Sequence, residues 1–136
     1  MNTAPVPYVL LPGTAAEALG FYADVFGGEV STRSFAEFGR ADGPPDDVAH
    51  GVLRGPVDLF LADAGFDEDA VALTGVMFSL LGRATPEVTR TWFAALASGG
   101  GRVVSDLAVR PWGAVDGTVR DRFGLSWLLG YETSEG

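Results

Sequence analysis

Two stretches of this chain, residues 14–30 and 85–104, follow the same pattern. Each opens with a threonine that can cap a helix, carries an aromatic pair that begins at Phe21 or Trp92, and stops at consecutive glycines before an apolar strand pattern. Self-similarity at a fixed spacing is the signature of a repeated structural unit, so it constrains the fold more than any single motif does. The repeat predicts one helix-and-strand module built twice.

Turn residues and hydrophobic periodicity divide each half into a strand, a helix and three strands. Thr14 with Glu17 three residues later is a capping-box pattern, and Thr85 precedes Pro86 at the first helical position. This order predicts an α+β fold with two βαβββ modules in a single domain, 1–136, made of modules 1–63 and 70–136. The predicted helices are 14–26 and 85–98. The predicted strands are 6–11, 29–38, 48–53, 57–62, 75–80, 102–109, 114–120 and 125–131.

The composition excludes several kinds of chemistry. The chain has no cysteine, all nine basic residues are arginines, and His50 is the one histidine. Thiolate nucleophiles, Schiff-base lysines and sites that need two imidazoles from one chain are therefore excluded. The formal charge of −9 argues against a nucleic-acid partner. We also expect no membrane partner and a cytoplasmic location, because no long apolar run or leader pattern is present. No Gly-rich loop between a strand and a helix has an acidic residue placed to hold an adenosyl cofactor, so no bound cofactor is expected.

Three segments resemble the vicinal oxygen chelate superfamily, which includes glyoxalases, bleomycin resistance proteins and dioxygenases. They read VPYVLLPG followed by ALGFYADVFGGEV, then HGVLRGPVDLFLAD, and finally RPWGAVDGTV with DRFGLSWL. Within that superfamily the chain is most similar to the PhnB-like branch, often labelled demethylubiquinone methyltransferase-like. The resemblance implies a curved open sheet around a cavity, a homodimer, and, in the metalloenzymes, a divalent ion held by His and Glu from four strands.

The four metal-ligand positions that the resemblance implies hold residues that do not ligate metals. Counting by family spacing from the helix and turn motifs places these positions at Pro7, Phe60, Gly75 and Leu128. A divalent ion needs several converging nitrogen or oxygen donors. We therefore predict that the chain has no metal site of this kind.

Side chains of a strand alternate between the two faces of a sheet, so these four positions predict which residues face the cavity. On this count Tyr8 and Leu10 pack under the first helix, and Val76 and Trp127 belong to the core. The predicted ligand-binding residues share the cavity face or its rim. They are Val9, Leu11, His50, Phe60, Met77, Ser79, Trp112, Ser126 and Leu128.

Three residues stand outside this alternation. His50 is the best candidate for proton transfer or ligand contact, because a free imidazole titrates near neutral pH, although a lone histidine is more often structural. Trp112 follows Arg110-Pro111 at a strand end, where an indole can stack on a ligand or plug a dimer contact. Arg110 can pair with an anionic ligand or remain solvated.

The sequence leaves three functions open. The first is a metal-free protein that binds, and so sequesters, an apolar or cationic aromatic small molecule. The second is an enzyme of the same superfamily, of lyase, isomerase or dioxygenase type, that uses His50 or an unrecognised metal site. The third is a structural or regulatory dimer with a vestigial cavity.

Overall fold

The structure of the chain, a computed structural model, describes residues 3–133. It contains two compact units, unit one (Met1–Val71) and unit two (Ala72–Gly136). Each unit runs strand, helix, strand, strand, strand, so the predicted α+β class with two βαβββ modules is confirmed. Unit one contains β1 (Tyr8–Leu11), α1 (Ala15–Phe26), β2 (Glu29–Ser34), β3 (Val48–Arg54) and β4 (Leu59–Asp63). Unit two contains β5 (Phe78–Leu81), α2 (Pro86–Ala97), β6 (Arg102–Val109), β7 (Ala114–Arg120) and β8 (Ser126–Glu132).

The four strands of unit one form sheet one in the order β1-β4-β3-β2. β1 runs parallel to β4, and the other neighbours are antiparallel. Helix α1 packs on β2, β3 and β4. Leu19 and Tyr22 of the helix and Leu53 and Leu61 of the sheet are fully buried. Each such side chain contributes about 2 kcal/mol through burial. The core of unit one therefore lies between α1 and one face of sheet one, which leaves the opposite face for other contacts.

Sheet two repeats this arrangement in the order β5-β8-β7-β6, with β5 parallel to β8. Helix α2 packs on β6, β7 and β8. The fully buried side chains include Leu96 of the helix and Val119, Trp127 and Leu129 of the sheet. The prediction that Trp127 belongs to the core is confirmed.

A buried carboxylate holds the turn between β7 and β8. Asp121 Oδ1 accepts the backbone N–H groups of Phe123 (2.8 Å) and Leu125 (3.1 Å). Asp121 Oδ2 accepts the indole N–H of Trp127 at 2.8 Å. Because a buried polar group must find partners, the indole and the carboxylate satisfy each other inside the core of unit two.

The two helices begin in different ways. Thr85 Oγ1 accepts the N–H of Val88 at 3.2 Å, so the predicted cap of α2 is confirmed. Thr14 makes no side-chain cap, and the capping-box prediction there is wrong. Asp63, at the end of β4, caps α1 instead. Its Oδ1 accepts the N–H of Ala15 and its Oδ2 accepts the N–H of Val48, both at 2.9 Å. This carboxylate is only 3% exposed and ties the start of α1 to the start of β3.

Within residues 3–133, no helix is long and apolar enough to cross a membrane.

Strand β2 is shorter than predicted, because the chain turns immediately after it. Ser34 and Glu37 cap each other: Glu37 Oε1 accepts the Ser34 N–H at 3.0 Å, and Ser34 Oγ accepts the Glu37 N–H at 3.1 Å. The turn buries Phe35 completely. The predicted extension of the strand through residue 38 is therefore wrong.

Strand β5 begins at Phe78, three residues later than predicted. Gly75 has a φ of 73°, a left-handed conformation that interrupts an extended strand. Val76 is consequently exposed, and its predicted place in the core is wrong.

Candidate functional site

Three rings from three strands meet on the face of sheet one opposite α1. Tyr8 of β1 lies level with Phe60 of β4, and His50 of β3 lies on the same face. The ring centroids are 5.7 Å apart for Tyr8 and Phe60, and 5.6 Å apart for the other two pairs. The planes are tilted by only 26–32° from one another. These three nearly parallel rings form an aromatic platform on sheet one.

The hydroxyl of Tyr8 supplies the hydrogen-bond partner of His50 that sequence alone does not identify. Tyr8 Oη lies 2.9 Å from His50 Nδ1, and the two residues are 42 positions apart in the chain. Which atom donates depends on the tautomer of the imidazole. The contact gives the aromatic platform one polar edge, where a phenol and an imidazole are joined by a hydrogen bond.

The predicted orientation of the first strand is wrong. Val9 and Leu11 are only 6% and 1% exposed and pack in the core of unit one, whereas Tyr8 is 50% exposed. A shift of one residue reverses the face of every side chain in a strand, and in the structure Tyr8, not Val9 or Leu11, lies on the face opposite α1. The signal that could have found Tyr8 is the aliphatic pair Val9 and Leu11, which suits the helix-facing side.

A charged cluster of Arg40, Asp42 and Glu68 lies near Tyr8. Arg40 forms a two-pronged ion pair with Asp42, with Nη2 to Oδ2 at 2.6 Å and Nε to Oδ1 at 2.9 Å. Its guanidinium also lies over the ring of Phe35 at 4.4 Å. Partial burial raises the pKa of the Tyr8 hydroxyl above its ordinary value, Arg40 lowers that pKa, and Glu68 raises it. Tyr8 is therefore a neutral phenol across the physiological range.

We expect Tyr8 to ionise at a higher pH than free tyrosine, and a Glu68→Gln variant to lower the pKa of Tyr8 by removing a nearby negative charge. The difference in absorbance at alkaline pH between the protein and its Tyr8→Phe variant isolates this transition. Because the pKa of Tyr8 is raised in the folded state, its contribution to the free energy of unfolding is fully present below the pKa of the unfolded chain. That contribution is lost as the pH rises through the folded-state pKa. A Tyr8 transition at or below that of free tyrosine would contradict this electrostatic description.

Four other predicted site residues lie on or beside sheet two, on the face opposite α2. Ser79 of β5 pairs with Leu128 of β8, and Ser126 follows the same alternation. Thr118 Oγ1 lies 3.8 Å from the sulfur of Met77, just before β5. Leu128 is half-buried and Met77 is exposed. Ligand binding by Met77, Ser79, Ser126 and Leu128 stays a prediction.

Trp112 lies in a different environment, at the turn between β6 and β7. Its indole is 72% exposed and lines a pocket of about 390 Å³ in unit two. Other lining residues come from the ends of β5, β7 and β8, and they include Leu81, Ala114, Val115, Asp116, Tyr131 and Glu132. Sequence reasoning placed Trp112 at a rim but missed Tyr131 and Glu132, because only the pairing of Glu132 with Ala114 brings them to that turn.

Arg110 is engaged within its own hairpin. Its Nε donates to Asp116 Oδ1 at 2.8 Å, and its Nη2 donates to Ser105 Oγ at 3.1 Å and to the Asp116 carbonyl at 3.0 Å. Arg110 therefore fastens β6 to β7, which favours a structural role over pairing with an anionic ligand.

The residues present do not fit the divalent ion of the related metalloenzymes. Phe60 is part of the aromatic platform, Gly75 lies in a turn outside β5, and Pro7 and Leu128 have no side-chain atom that can ligate a metal. Within residues 3–133 there is no group of three or more His, Asp or Glu side chains placed to hold a metal ion.

Solved structures with the same fold come from several bacteria. Protein PA1353 from Pseudomonas aeruginosa is 28% identical, with a TM-score of 0.77 and coverage of 98% of this chain and 100% of that chain. The PhnB protein from Bacillus cereus, described as a putative 3-demethylubiquinone-9 3-methyltransferase, is 22% identical, with a TM-score of 0.76 and coverage of 96% and 99%. A lactoylglutathione lyase from Agrobacterium tumefaciens is 19% identical, with a TM-score of 0.56 and coverage of 96% and 94%.

No curated protein matches the chain closely enough to count as a relative. The family profile named Glyoxalase/Bleomycin resistance protein/Dioxygenase superfamily matches residues 5–129, nearly the whole chain. The match covers all elements of unit one and those of unit two up to the middle of β8. The chain therefore belongs to the glyoxalase/bleomycin resistance protein/dioxygenase superfamily.

Proposed function

We propose that the protein binds a small planar aromatic molecule on the aromatic platform of sheet one, without a metal ion. The observation that carries this proposal is the near-parallel arrangement of Tyr8, His50 and Phe60, with tilts of 26–32°. Rings prefer offset stacking at centroid distances of about 4.5–7 Å. A flat ligand can therefore cover several of these rings at once.

The electrostatics favour a neutral or cationic ligand over an anionic one. The chain carries a net charge of −9, and the guanidinium nearest Tyr8 is already paired with Asp42. The Tyr8–His50 hydrogen bond offers one polar contact at the edge of the three rings. Ligand sites of this kind combine apolar walls with a few polar groups that orient the ligand.

The test is a titration of fused-ring aromatics of three charges, a quinoline, an N-methylquinolinium and a naphthalene sulfonate, followed by two-dimensional NMR of the backbone amides. We expect saturable shifts in β1, β3 and β4 with the first two probes. A Phe60→Ala variant should weaken binding about tenfold, because it removes one stacking surface. Loss of helical circular dichroism in the variant would mark a folding defect rather than a binding effect.

The matched control is Phe66→Ala, which removes an exposed phenylalanine that lies outside the three rings. This variant should bind the probes like the unchanged protein. Equal affinity in Phe60→Ala, or shifts confined to unit two, would overturn the proposal.

The second candidate is an enzyme of the same superfamily that moves protons without a metal. The 2.9 Å contact between Tyr8 and His50 favours it, since a hydrogen-bonded phenol can hold an imidazole in one tautomer and orientation for proton transfer. Chemical conversion of a bound probe in the same titrations, lost in Tyr8→Phe while binding persists, would support this function over simple binding.

A further inference from the structure

Two arginines lie side by side at one end of sheet two, on the face opposite α2. Arg102 of β6 pairs with Arg120 of β7, which in turn pairs with Ser126 of β8. Side chains of directly opposite partners share a face, with their Cβ atoms about 5 Å apart. The adjacent residues Val119 and Trp127 are buried in the core, so these three side chains point away from the helix. We call Arg102, Arg120 and Ser126 the arginine row.

The two positive charges of the arginine row have no acidic partner. Within residues 3–133, neither Arg102 nor Arg120 takes part in an ion pair. Arg120 Nη1 lies 3.4 Å from Ser126 Oγ, and this contact leaves most of the five N–H donors of the guanidinium available. Like charges directly opposite each other destabilise a strand pair. An anion bound at the arginine row would offset that repulsion.

The nearby carboxylates of unit two are engaged elsewhere. Asp116 is paired with Arg110 at 2.8 Å. Asp121 is 3% exposed and bonds to the indole of Trp127 within the core. Asp106 lies beside Arg110, whose Nη2 donates to its carbonyl at 3.3 Å. The arginine row is therefore locally positive, although the chain carries a net charge of −9.

Hydroxyl and apolar side chains lie next to the arginine row on the same face. The neighbouring cross-strand row contains Thr118 of β7, Leu128 of β8 and Ser79 of β5. Leu128 is half-buried, and Thr118 Oγ1 lies 3.8 Å from the sulfur of the exposed Met77. A ligand with a charged head and a small apolar body therefore finds matching groups for both parts.

We propose that the arginine row binds the phosphate group of a small organic phosphate monoester. The phosphate lies between Arg102 and Arg120 and accepts the hydroxyl of Ser126, and the organic group lies against Leu128 and Met77. A phosphate monoester carries close to two negative charges, which match two guanidiniums that lack ion-pair partners. Its three terminal oxygens can bond to both guanidiniums and to the hydroxyl at once.

This site goes beyond the proposed function and does not depend on it, because all its residues belong to unit two. Its chemistry is also opposite to that of the aromatic platform, where an anion is disfavoured. The guanidinium nearest Tyr8 is paired with Asp42, whereas the two guanidiniums of the arginine row have no such partner among residues 3–133. The two sites are therefore separable by experiment.

The experiment titrates the full chain with phenyl phosphate at about pH 8, where the phosphate monoester is a dianion. Phenyl sulfate has the same ring with one negative charge, and inorganic phosphate has the head without the ring. The readout is the backbone amide signals of β6, β7 and β8 in two-dimensional NMR. We expect saturable shifts with phenyl phosphate and binding that is at least about fivefold weaker for each of the other two probes.

Arg102→Gln and Arg120→Gln should each weaken the binding of phenyl phosphate about tenfold, because each removes a charge-assisted partner of the phosphate. Arg54→Gln, which removes an exposed arginine from the end of β3 in unit one, is the matched control and should leave the affinity unchanged. Without ligand, Arg102→Gln should unfold at the same temperature as the unchanged protein or at a higher one, because the variant relieves a like-charge pair. Weaker binding in that variant is then not a folding defect.

Four outcomes would each overturn the proposal. They are equal affinity for phenyl sulfate and phenyl phosphate, unchanged affinity in both arginine-row variants, an equal loss of affinity in Arg54→Gln, and no saturable shift up to about 10 mM. Shifts in β1, β3 and β4 that disappear in Phe60→Ala would instead place the phenyl ring on the aromatic platform. That result would overturn the arginine row as the site while supporting the proposed function, so the two failures are distinguishable.

Discussion

Replacing Asp63 by alanine is expected to lower the free energy of unfolding by about 3 kcal/mol. The carboxylate is 3% exposed and accepts two backbone N–H groups, from Ala15 and Val48. Alanine leaves both donors without their partner, and a buried unpaired donor keeps the full cost of losing water. Because these N–H groups begin α1 and β3, the loss weakens the attachment of the helix to its sheet.

Urea unfolding measured by circular dichroism tests this value, with Asp69→Ala as the matched control at an exposed position after β4. The free energy of unfolding of this control should stay within about 0.5 kcal/mol of that of the unchanged protein. The free energy of unfolding of Asp63→Asn should lie between those of Asp63→Ala and Asp69→Ala, because an amide offers one acceptor oxygen where the carboxylate offers two. Equal stability of Asp63→Ala and Asp69→Ala would show that the two hydrogen bonds do not stabilise unit one.

Replacing Trp127 by alanine is expected to lower the free energy of unfolding by about 4 kcal/mol. The indole is 1% exposed, fills the core of unit two, and donates to Asp121 at 2.8 Å. Alanine therefore removes a large packed surface and one donor to a buried carboxylate. Trp127→Phe keeps most of the packing and loses the donor, so it should cost about 2 kcal/mol.

The matched control for this series is Trp112→Ala, because the same substitution is made at an indole that is 72% exposed. Trp112→Ala should change the free energy of unfolding by less than about 0.5 kcal/mol. Intrinsic fluorescence and urea unfolding measure both variants in the same way. A larger loss of stability in Trp112→Ala than in Trp127→Ala would reverse the assignment of core and surface in unit two.

The sequence was sufficient to predict the fold, because the determinants of its elements are local. The helix-cap pattern at Thr85 and the strand patterns of β6 and β7 each act over a few residues, and the structure has these elements within a residue or two of the predicted bounds. The repeat then predicts that the second half copies the first. The shortened ends of β2 and β5 are explained by Glu37 and Gly75, whose local turns compete with strand extension.

The candidate site depended on contacts between distant residues, and there prediction was weaker. The cap of α1 comes from Asp63, 48 residues after Ala15, so the nearby pattern of Thr14 and Glu17 was misleading. The face of β1 was reversed because spacing was counted through a turn, where one residue changes the outcome. Phe60 and His50 are predicted from residue type and position, whereas Tyr8 is predicted on the wrong face, although the aliphatic pair Val9 and Leu11 suits the helix side better.

The parallel pairing of the first and last strands has a consequence for how each unit forms. In unit one, β1 joins the sheet only beside β4, so the chain must close a loop that contains the helix and two other strands. Such distant closures are slow steps in folding, because their entropy cost comes before their contacts form. Tyr8 enters the aromatic platform through this closure alone. A chain with β1 undocked has His50 and Phe60 in their hairpin but no complete platform, so ligand binding requires that β1 has docked beside β4.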